Sequence, residues 1–277
     1  MLINTTLHLH KMDSALDAEN MAQYALRSNN EEIVVNDYLS KQIKIQFLSE
    51  INCIGCGRKT KKSFNQGYCF VCLRSKAACD SCIIKPELCH YDEGTCREPT
   101  WGEAHCLKPH YIYLANTSGL KVGITREKNV PMRWIDQGAV EALPILEVNQ
   151  RLLSGVIEVA LKKHVADKTS WQKMLKGAPE EVDLLSYKEM FLNEVAEILD
   201  DITSDYGQNA VSFVDKKPVR IRYPVLSYPQ KVKSFNLDKD PLVEGQLLGI
   251  KGQYLILDNG VINLRKFAGY RCDLQIL

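Results

Sequence analysis

Ten cysteines are the residues of this chain best suited to metal chemistry, and nine of them lie between Cys53 and Cys106. Four of the nine form two pairs, Cys53-x2-Cys56 and Cys69-x2-Cys72. Each pair can point two thiolates at one centre, and two such turns a short hairpin apart complete a closed four-sulfur site that suits zinc. The spacing therefore predicts a zinc ribbon in which these four cysteines are the ligands.

Basic and aromatic side chains surround the two pairs, and residues 51–76 include no acidic residue. The candidate nucleic-acid-binding residues are Arg58, Lys59, Lys61 and Lys62, with Phe64, Tyr68 and Phe70 interleaved. Cations can bind phosphate while aromatic rings stack on bases, so the ribbon surface could bind a nucleic acid. The same run of charge is also typical of an ordinary solvated face.

A second group of cysteines follows the first. Cys79-x2-Cys82 has the same spacing, so we expect it to supply two thiolates to a second site. The candidates for the remaining positions are Cys89, Cys96 and Cys106, with His90, His105 and His110 as possible substitutes. A second structural zinc is the first interpretation, and an iron–sulfur cluster is the alternative because four cysteines also hold those centres. Eight candidates exceed four positions, so some of them must be packing residues.

Composition narrows the class of protein. With 277 residues, 45% of them hydrophobic and 25% charged, the chain is long enough for more than one domain. A net charge of +1 argues against a uniformly basic coat, so nucleic-acid binding must come from local patches. No apolar run approaches the roughly 20 residues of a membrane helix, and the N-terminus lacks the pattern of a signal peptide. We therefore expect a cytoplasmic protein with no membrane partner, whose clustered cysteines bind metal instead of forming disulfides.

Secondary structure is predicted most clearly after the cysteines. Residues 111–115 and 120–124 should be two strands joined by a turn that contains Gly119. Pro131 should open a short helix through residue 135. The apolar spacing predicts helices over 152–166 and 186–202. The stretch beyond residue 207 reads as several short strands, so the fold class is α+β.

The segment after the cysteines carries a family resemblance. Tyr111-Ile112-Tyr113, seven residues, Lys121-Val122-Gly123, then Arg133 and Glu158 resemble the core of the GIY-YIG nucleases. Two positions depart from the pattern, since Tyr111 replaces the glycine of the first motif and Lys121 replaces the tyrosine of the second. The chain is therefore similar to the subset of this family that has a lysine in the second motif.

The resemblance implies a set of catalytic roles. Tyr113 would be the general base or relay, and Lys121 beside it would favour the phenolate. Arg133 would stabilise charge on the scissile phosphate, and Glu158 would hold a catalytic Mg²⁺ or Mn²⁺. Tyr111, on the same face of its strand as Tyr113, could substitute for it.

The whole chain is also similar to an uncharacterised bacterial family that joins a zinc-ribbon region to a GIY-YIG-like domain. Residues 89–99, 121–126 and 133–139 carry that similarity. It supports the order of the four regions that the pattern along the chain suggests: a β-rich piece over 1–50, a zinc-ribbon and cysteine-rich region over 51–108, a GIY-YIG-like α/β domain over 109–206, and a small β-barrel-like domain over 207–277.

Three functions remain open at this point. The first is a metal-dependent phosphodiesterase that cuts DNA or RNA. The second is a zinc-containing protein that binds DNA or RNA on a nuclease-like scaffold without cutting it. The third is a redox or metal-sensing protein that uses the second cysteine group. The first two predict different outcomes for Tyr113, Lys121, Arg133 and Glu158, which must converge on one open cleft in an enzyme.

Overall fold

The computed structural model describes residues 3–28, 31–165 and 170–277 of the chain. The fold is α+β, as predicted. The strands are β1 Ile3–His8, β2 Asp13–Leu16, β3 Ala22–Ser28, β4 Glu31–Val34, β5 Gln42–Ile51, β6 His110–Asn116, β7 Leu120–Arg126, β8 Glu141–Val148, β9 Val211–Phe213, β10 Val219–Arg220, β11 Leu242–Lys251, β12 Tyr254–Leu257, β13 Gly260–Asn263 and β14 Tyr270–Ile276. The helices are α1 Phe70–Ser75, α2 Pro99–His105, α3 Met132–Asp136, α4 Arg151–Leu161, α5 Trp171–Met174, α6 Leu184–Glu194 and α7 Ala196–Tyr206.

Both ends of the chain build one six-stranded sheet, in the order β1-β14-β5-β11-β12-β13. Its pairs are antiparallel, and apolar residues lie opposite one another on its buried face: Leu274 faces Ile45, and Ile276 faces Ile43. Strands from residues 1–50 and 207–277 thus share a sheet, which no local pattern could predict. A separate three-stranded sheet has the order β2-β3-β4.

The central sheet has the order β10-β8-β6-β7, and β9 also pairs with β8. All seven residues of β6 are buried, because both faces of this strand are covered. Ile112 and Leu114 pack on one face against residues of α4, α6 and α7. Tyr113 and Ala115 point to the other face, where they pack with α3 and with residues of the six-stranded sheet. The predicted hairpin is confirmed, and β6 is its fully enclosed strand.

Helix α3 is tied to both ends of the chain through Asp136. Its Oδ1 accepts hydrogen bonds from Gln253 Nε2 at 2.8 Å and from Ser14 Oγ at 3.2 Å. Its Oδ2 forms an ion pair with Lys11. The helix that carries Arg133 is therefore fixed by residues far from it in sequence.

Two predicted helices have different limits in the structure. The helix predicted over 152–166 is α4, which ends at Leu161 and is followed by a 3-10 turn, Lys162–His164. The last predicted residue, Ala166, lies outside the described residues. The helix predicted over 186–202 is two helices, α6 and α7, separated at the buried Val195, whose φ is −104° and ψ is 7°.

The cysteine-rich region contains little regular structure and packs against α4. A Cβ atom on Gly155 of α4 would lie 2.7 Å from Pro86 Cβ, so only glycine allows this close approach. Across the ranges that the structure describes, no helix is long and apolar enough to cross a membrane.

Candidate functional site

The two predicted cysteine pairs converge on one point. The sulfur atoms of Cys53, Cys56, Cys69 and Cys72 all lie within 4.8 Å of one another. Backbone amides orient them: the N–H groups of Gly55 and Cys69 donate to Cys53 Sγ at 3.4 and 3.1 Å. Cys69 is also the N-cap of α1, and its sulfur accepts from the Cys72 amide at 3.5 Å.

The charges of these thiols fit a bound cation. Burial alone would raise the pKa of Cys53, but backbone N–H donors outweigh burial and lower the pKa of this thiol to about 6. Burial raises the pKa of Cys72 to about 12. Crowded thiolates repel one another, so without a cation the last thiol resists ionisation. Four sulfurs at this spacing suit tetrahedral Zn²⁺, so the cluster can hold zinc.

The predicted basic residues of the ribbon are exposed. They are Arg58, Lys59, Lys61 and Lys62. Lys59 is paired with Glu50, with Nζ 2.8 Å from Oε2, and Lys62 lies 5.4 Å above the ring of Phe64. The ion pair leaves Lys59 with less positive charge to offer a phosphate than its neighbours.

The second cysteine group divides between two places. One small cavity is lined by Cys82, Cys89, Cys96 and Cys106. Cys79 is not among its lining residues; it lies close enough to Cys53 and Cys69 for their charges to affect its pKa, and Asn65 hydrogen-bonds to it. The structure thus separates Cys79 from Cys82, which the shared spacing had placed together.

The three histidines near these cysteines have other partners. His90 Nδ1 lies 2.7 Å from Thr95 Oγ1, and His105 Nδ1 lies 2.9 Å from the Trp101 carbonyl. His110 is fully buried with Nδ1 2.7 Å from the Lys108 carbonyl, and burial lowers its pKa to about 4. His90 nevertheless lines the cysteine cavity, with its Nε2 3.4 Å from Asp80 Oδ2. His105 is engaged locally, and His110 starts the central strand β6.

Three of the residues predicted to be catalytic line one cavity of about 620 Å³. Lys121 comes from β7, Arg133 from α3 and Glu158 from α4, so three separate elements deliver them. Glu158 is buried, and its Oε2 lies 3.2 Å from Lys162 Nζ, one helical turn later. Burial, and secondly the charge of Arg133, lower the pKa of Lys121.

Tyr113 lies beneath this cavity, with no exposed surface. With its amide oriented to satisfy both neighbours, Gln137 donates to Tyr113 Oη at 2.9 Å and accepts from Arg133 Nη2 at 3.0 Å. Burial raises the pKa of Tyr113, although Arg133 opposes the effect. Gly123, directly opposite Tyr113 across the strands, leaves room for the ring: a Cβ there would lie 2.6 Å from Tyr113 Oη.

Tyr111 is engaged elsewhere. Its Oη donates to Glu127 Oε1 at 3.0 Å and accepts from Lys216 Nζ at 3.1 Å. Burial raises its pKa. Tyr111 is not among the residues that line the cavity, so it is poorly placed to substitute for Tyr113.

Several cations of the cavity were not singled out from the sequence. Arg126, Arg151, Lys162 and Arg265 line it together with Lys121 and Arg133. Glu158 is the one carboxylate among the described lining residues. Arg265 comes from the C-terminal region, and no local motif marks it. Arg126 lies three residues after the second motif and could have been noticed. A chain of nearly zero net charge thus concentrates positive charge here.

The segment between the two cysteine pairs of the first cluster reaches the same cavity. Asn65 and Gln66, at the turn between the two cysteine pairs, are among its lining residues. Both have positive φ, 42° and 61°, as tight hairpin turns require. This segment and the central sheet therefore contribute to one continuous surface.

A family model described as "Protein of unknown function (DUF2797)" matches residues 40–272 of the chain. No curated protein matches the chain. No solved structure matches it either.

Proposed function

The chain belongs to the DUF2797 family, and we propose that it is a metal-dependent phosphodiesterase of the GIY-YIG type that cuts DNA or RNA. One observation carries the proposal: Lys121, Arg133 and Glu158, from three separate elements, line a single cavity. If β6 and β7 were only an apolar hairpin, and Arg133 and Glu158 only formed surface ion pairs, these three side chains would not be expected to meet.

The geometry favours catalytic roles for Tyr113 and Lys121 that differ from those the resemblance implies. Tyr113 is buried with a raised pKa, which makes it a poor base, and through Gln137 it orients the Arg133 guanidinium. Lys121 lines the cavity and has a lowered pKa, so a larger fraction of it is neutral and able to accept a proton from the attacking water. Arg133 then neutralises charge on the scissile phosphate.

Glu158 is the residue that would hold the divalent cation. Mg²⁺ is commonly bound by one or two carboxylates plus waters and substrate phosphates, so one carboxylate in a cavity lined by cations fits it. A bound Mg²⁺ or Mn²⁺ would polarise the phosphate and stabilise the leaving oxygen. The Lys162 ammonium already pairs with Glu158, so the Glu158 carboxylate stabilises a positive charge at this position.

The substrate follows from the charge of the surroundings. Among the residues that the structure describes, six cations and one carboxylate line the cavity, which suits a polyanion. Residues 51–108 and 207–277 flank the proposed catalytic region, 109–206, and the ribbon turn at Asn65 and Gln66 would extend the binding path toward the exposed basic residues of the ribbon. None of the ten cysteines forms a disulfide, which is typical of proteins in a reducing compartment and supports a cytoplasmic location.

The test is a cleavage assay on single- and double-stranded DNA and RNA, labelled at one end, in Mg²⁺, Mn²⁺ or EDTA. Cleavage should require the metal and should fall at least about 100-fold in Glu158→Gln, Arg133→Ala and Lys121→Met. Glu197→Gln and Lys163→Met, at exposed positions, are the matched controls and should keep the wild-type rate. Intact substrates with both metals across all four nucleic acids would defeat the proposal.

A second candidate is binding without cleavage. Two observations favour it: Tyr113 has no exposed surface, and Glu158 is already paired with Lys162. In that case Arg265→Ala should weaken nucleic-acid binding, measured by fluorescence anisotropy, whereas Glu158→Gln should leave it unchanged or strengthen it. Binding should also weaken steeply as salt is raised, because phosphate contacts release counterions.

A further inference from the structure

Four cysteines spaced seven to ten residues apart in the sequence line one small cavity. Cys82 lies in a 3-10 turn, Cys89 follows the next 3-10 turn, Cys96 precedes α2, and Cys106 ends α2. Chain segments with so little regular structure have no apolar core of their own to bring these residues together. A shared ligand provides the physical reason for their convergence.

The spacing of the sulfur atoms differs from that of the first cluster. Zinc holds each sulfur at about 2.3 Å, so the sulfurs of a tetrahedral site lie about 3.8 Å apart. The first cluster meets that condition, with all four sulfurs within 4.8 Å of one another. Among the described residues, no three of the second set come as close. The spacing of the second set is therefore wider than a single tetrahedral zinc requires.

One smaller group near these cysteines does reach metal-binding distances. Asp80, Cys82 and His90 have ligand atoms within 4.8 Å of one another. However, Asp80 is already committed: its Oδ2 lies 2.7 Å from Arg97 Nε, and its Oδ1 accepts from the Ser81 amide at 2.6 Å. These contacts explain the position of Asp80 without a metal.

We propose that Cys82, Cys89, Cys96 and Cys106 bind a [4Fe–4S] cluster, in place of the second zinc that the Cys79-x2-Cys82 spacing predicts. In such a cluster each thiolate binds a different iron, so the four sulfurs spread around a central body. Cys79, which does not line the cavity, is not a ligand.

The surroundings suit an anionic cluster shielded from water. Apolar and aromatic side chains, among them Ile83 and Trp101, share the lining with Asp80 and His90. The ion pair with Arg97 balances the charge of Asp80. Gly102 lets the Tyr91 ring pack closely against α2, because a Cβ there would lie 3.1 Å from Tyr91 Cδ2. The nearby guanidinium of Arg151 offsets negative charge, and its Nη2 donates to the Ile83 carbonyl at 2.7 Å.

The cluster would also brace the cationic cavity. Cys106 lines both the cysteine cavity and the cationic one, and the Arg151 amide donates to the Cys106 carbonyl at 2.8 Å. Pro86, between Cys82 and Cys89, packs against Gly155 of α4, the helix that carries Glu158. The cofactor therefore fixes the positions of Arg151 and α4, and this role does not depend on what the cavity binds.

The test is cofactor analysis of the full chain purified without oxygen, or reconstituted with ferrous iron and sulfide. We expect about four irons and four acid-labile sulfides per chain, a brown colour with broad visible absorption, and one zinc. Cys82→Ser, Cys89→Ser, Cys96→Ser and Cys106→Ser should each lose most of the iron and the colour while retaining the zinc, which reports that the ribbon is still folded. Cys79→Ser is the matched control and should keep both metals, whereas Cys56→Ser should lose zinc and keep iron.

Three results would overturn the proposal. A colourless chain that carries two zinc ions and takes up no iron on reconstitution would assign the second site to zinc. Loss of iron in Cys79→Ser would show that the ligand set is different. If the two single variants Cys96→Ser and Cys106→Ser both retain iron and sulfide, Cys96 and Cys106 are not ligands of the cluster. The iron and sulfide content of the wild-type chain decides the cofactor even where a variant fails to fold, and it is independent of any nuclease assay.

Discussion

Replacing Gly123 by alanine should destabilise the protein through a collision with Tyr113. The added Cβ would lie 2.6 Å from both Cζ and Oη of Tyr113 and 3.0 Å from Cε2. The ring cannot move aside, because Tyr113 has no exposed surface and is held between Trp134 and Gln137. Strand β7 must shift instead, and overpacking of this kind costs about 1–3 kcal/mol of unfolding free energy.

The measurement is urea denaturation followed by tryptophan fluorescence, to which Trp134, 6.0 Å from the Tyr113 ring, should contribute. Tyr113→Leu removes the ring atoms that the new Cβ would meet. The double variant should therefore recover about 1 kcal/mol or more relative to the sum of the two single changes.

A glycine without such a neighbour provides the control. A Cβ on Gly94 would meet nothing within 4 Å, so Gly94→Ala should cost only the strain of its positive φ of 73°, about 1–2 kcal/mol. That cost should add independently to the cost of Tyr113→Leu. If Gly123→Ala is as stable as the wild type, or if Tyr113→Leu brings no recovery, the assigned role of Gly123 is incorrect.

Three further predictions concern the metal, the two tyrosines and pH. Cys72→Ser should abolish zinc binding by the ribbon and unfold it locally, which elemental analysis and limited proteolysis of residues 51–76 would detect. Tyr111→Phe should leave any cleavage rate unchanged, whereas Tyr113→Phe should lower it by loosening Arg133; equal losses in single-turnover assays would contradict the assigned positions. Burial lowers the pKa of His110 in the folded state to about 4, below the ordinary 6.5, so the unfolded chain binds a proton that the folded chain does not. Up to about 3 kcal/mol of stability should therefore be lost as pH falls from about 6.5 to 4. His110→Gln should reduce this dependence on pH in denaturant titrations, and an unchanged slope would contradict the assignment.

Much of the fold could be predicted from local pattern. The apolar runs at 111–115 and 120–124, with Gly119 between them, determine a hairpin because strand and turn preferences agree there. The first cysteine cluster was equally accessible, since a Cys-x2-Cys turn constrains two thiolates whatever surrounds it. The division of the helix predicted over 186–202 at Val195 was not accessible, because its apolar spacing continues through the break.

The cavity shows where sequence reasoning stops. Lys121, Arg133 and Glu158 could be named from their positions relative to the two motifs, and they line one cavity. Arg265 could not, because it reaches the cavity only through the packing of the C-terminal strands. Cys79 and Cys82 have the spacing of a shared site, yet Cys79 lies beside the first cluster and Cys82 lines the second cavity.

The sequence by itself determined the features that depend on neighbours in the chain: the Cys-x2-Cys turns, the strands, the central hairpin and the α+β class. Only the tertiary structure decided which charges meet, since Arg126, Arg151 and Arg265 come together through contacts between distant segments. It also joined the strands near the two ends of the chain in one sheet. The ring of Tyr113, which leaves no space for a Cβ, explains why residue 123 is glycine. Local preference acts over a few residues, whereas burial and charge act on whatever folding brings close.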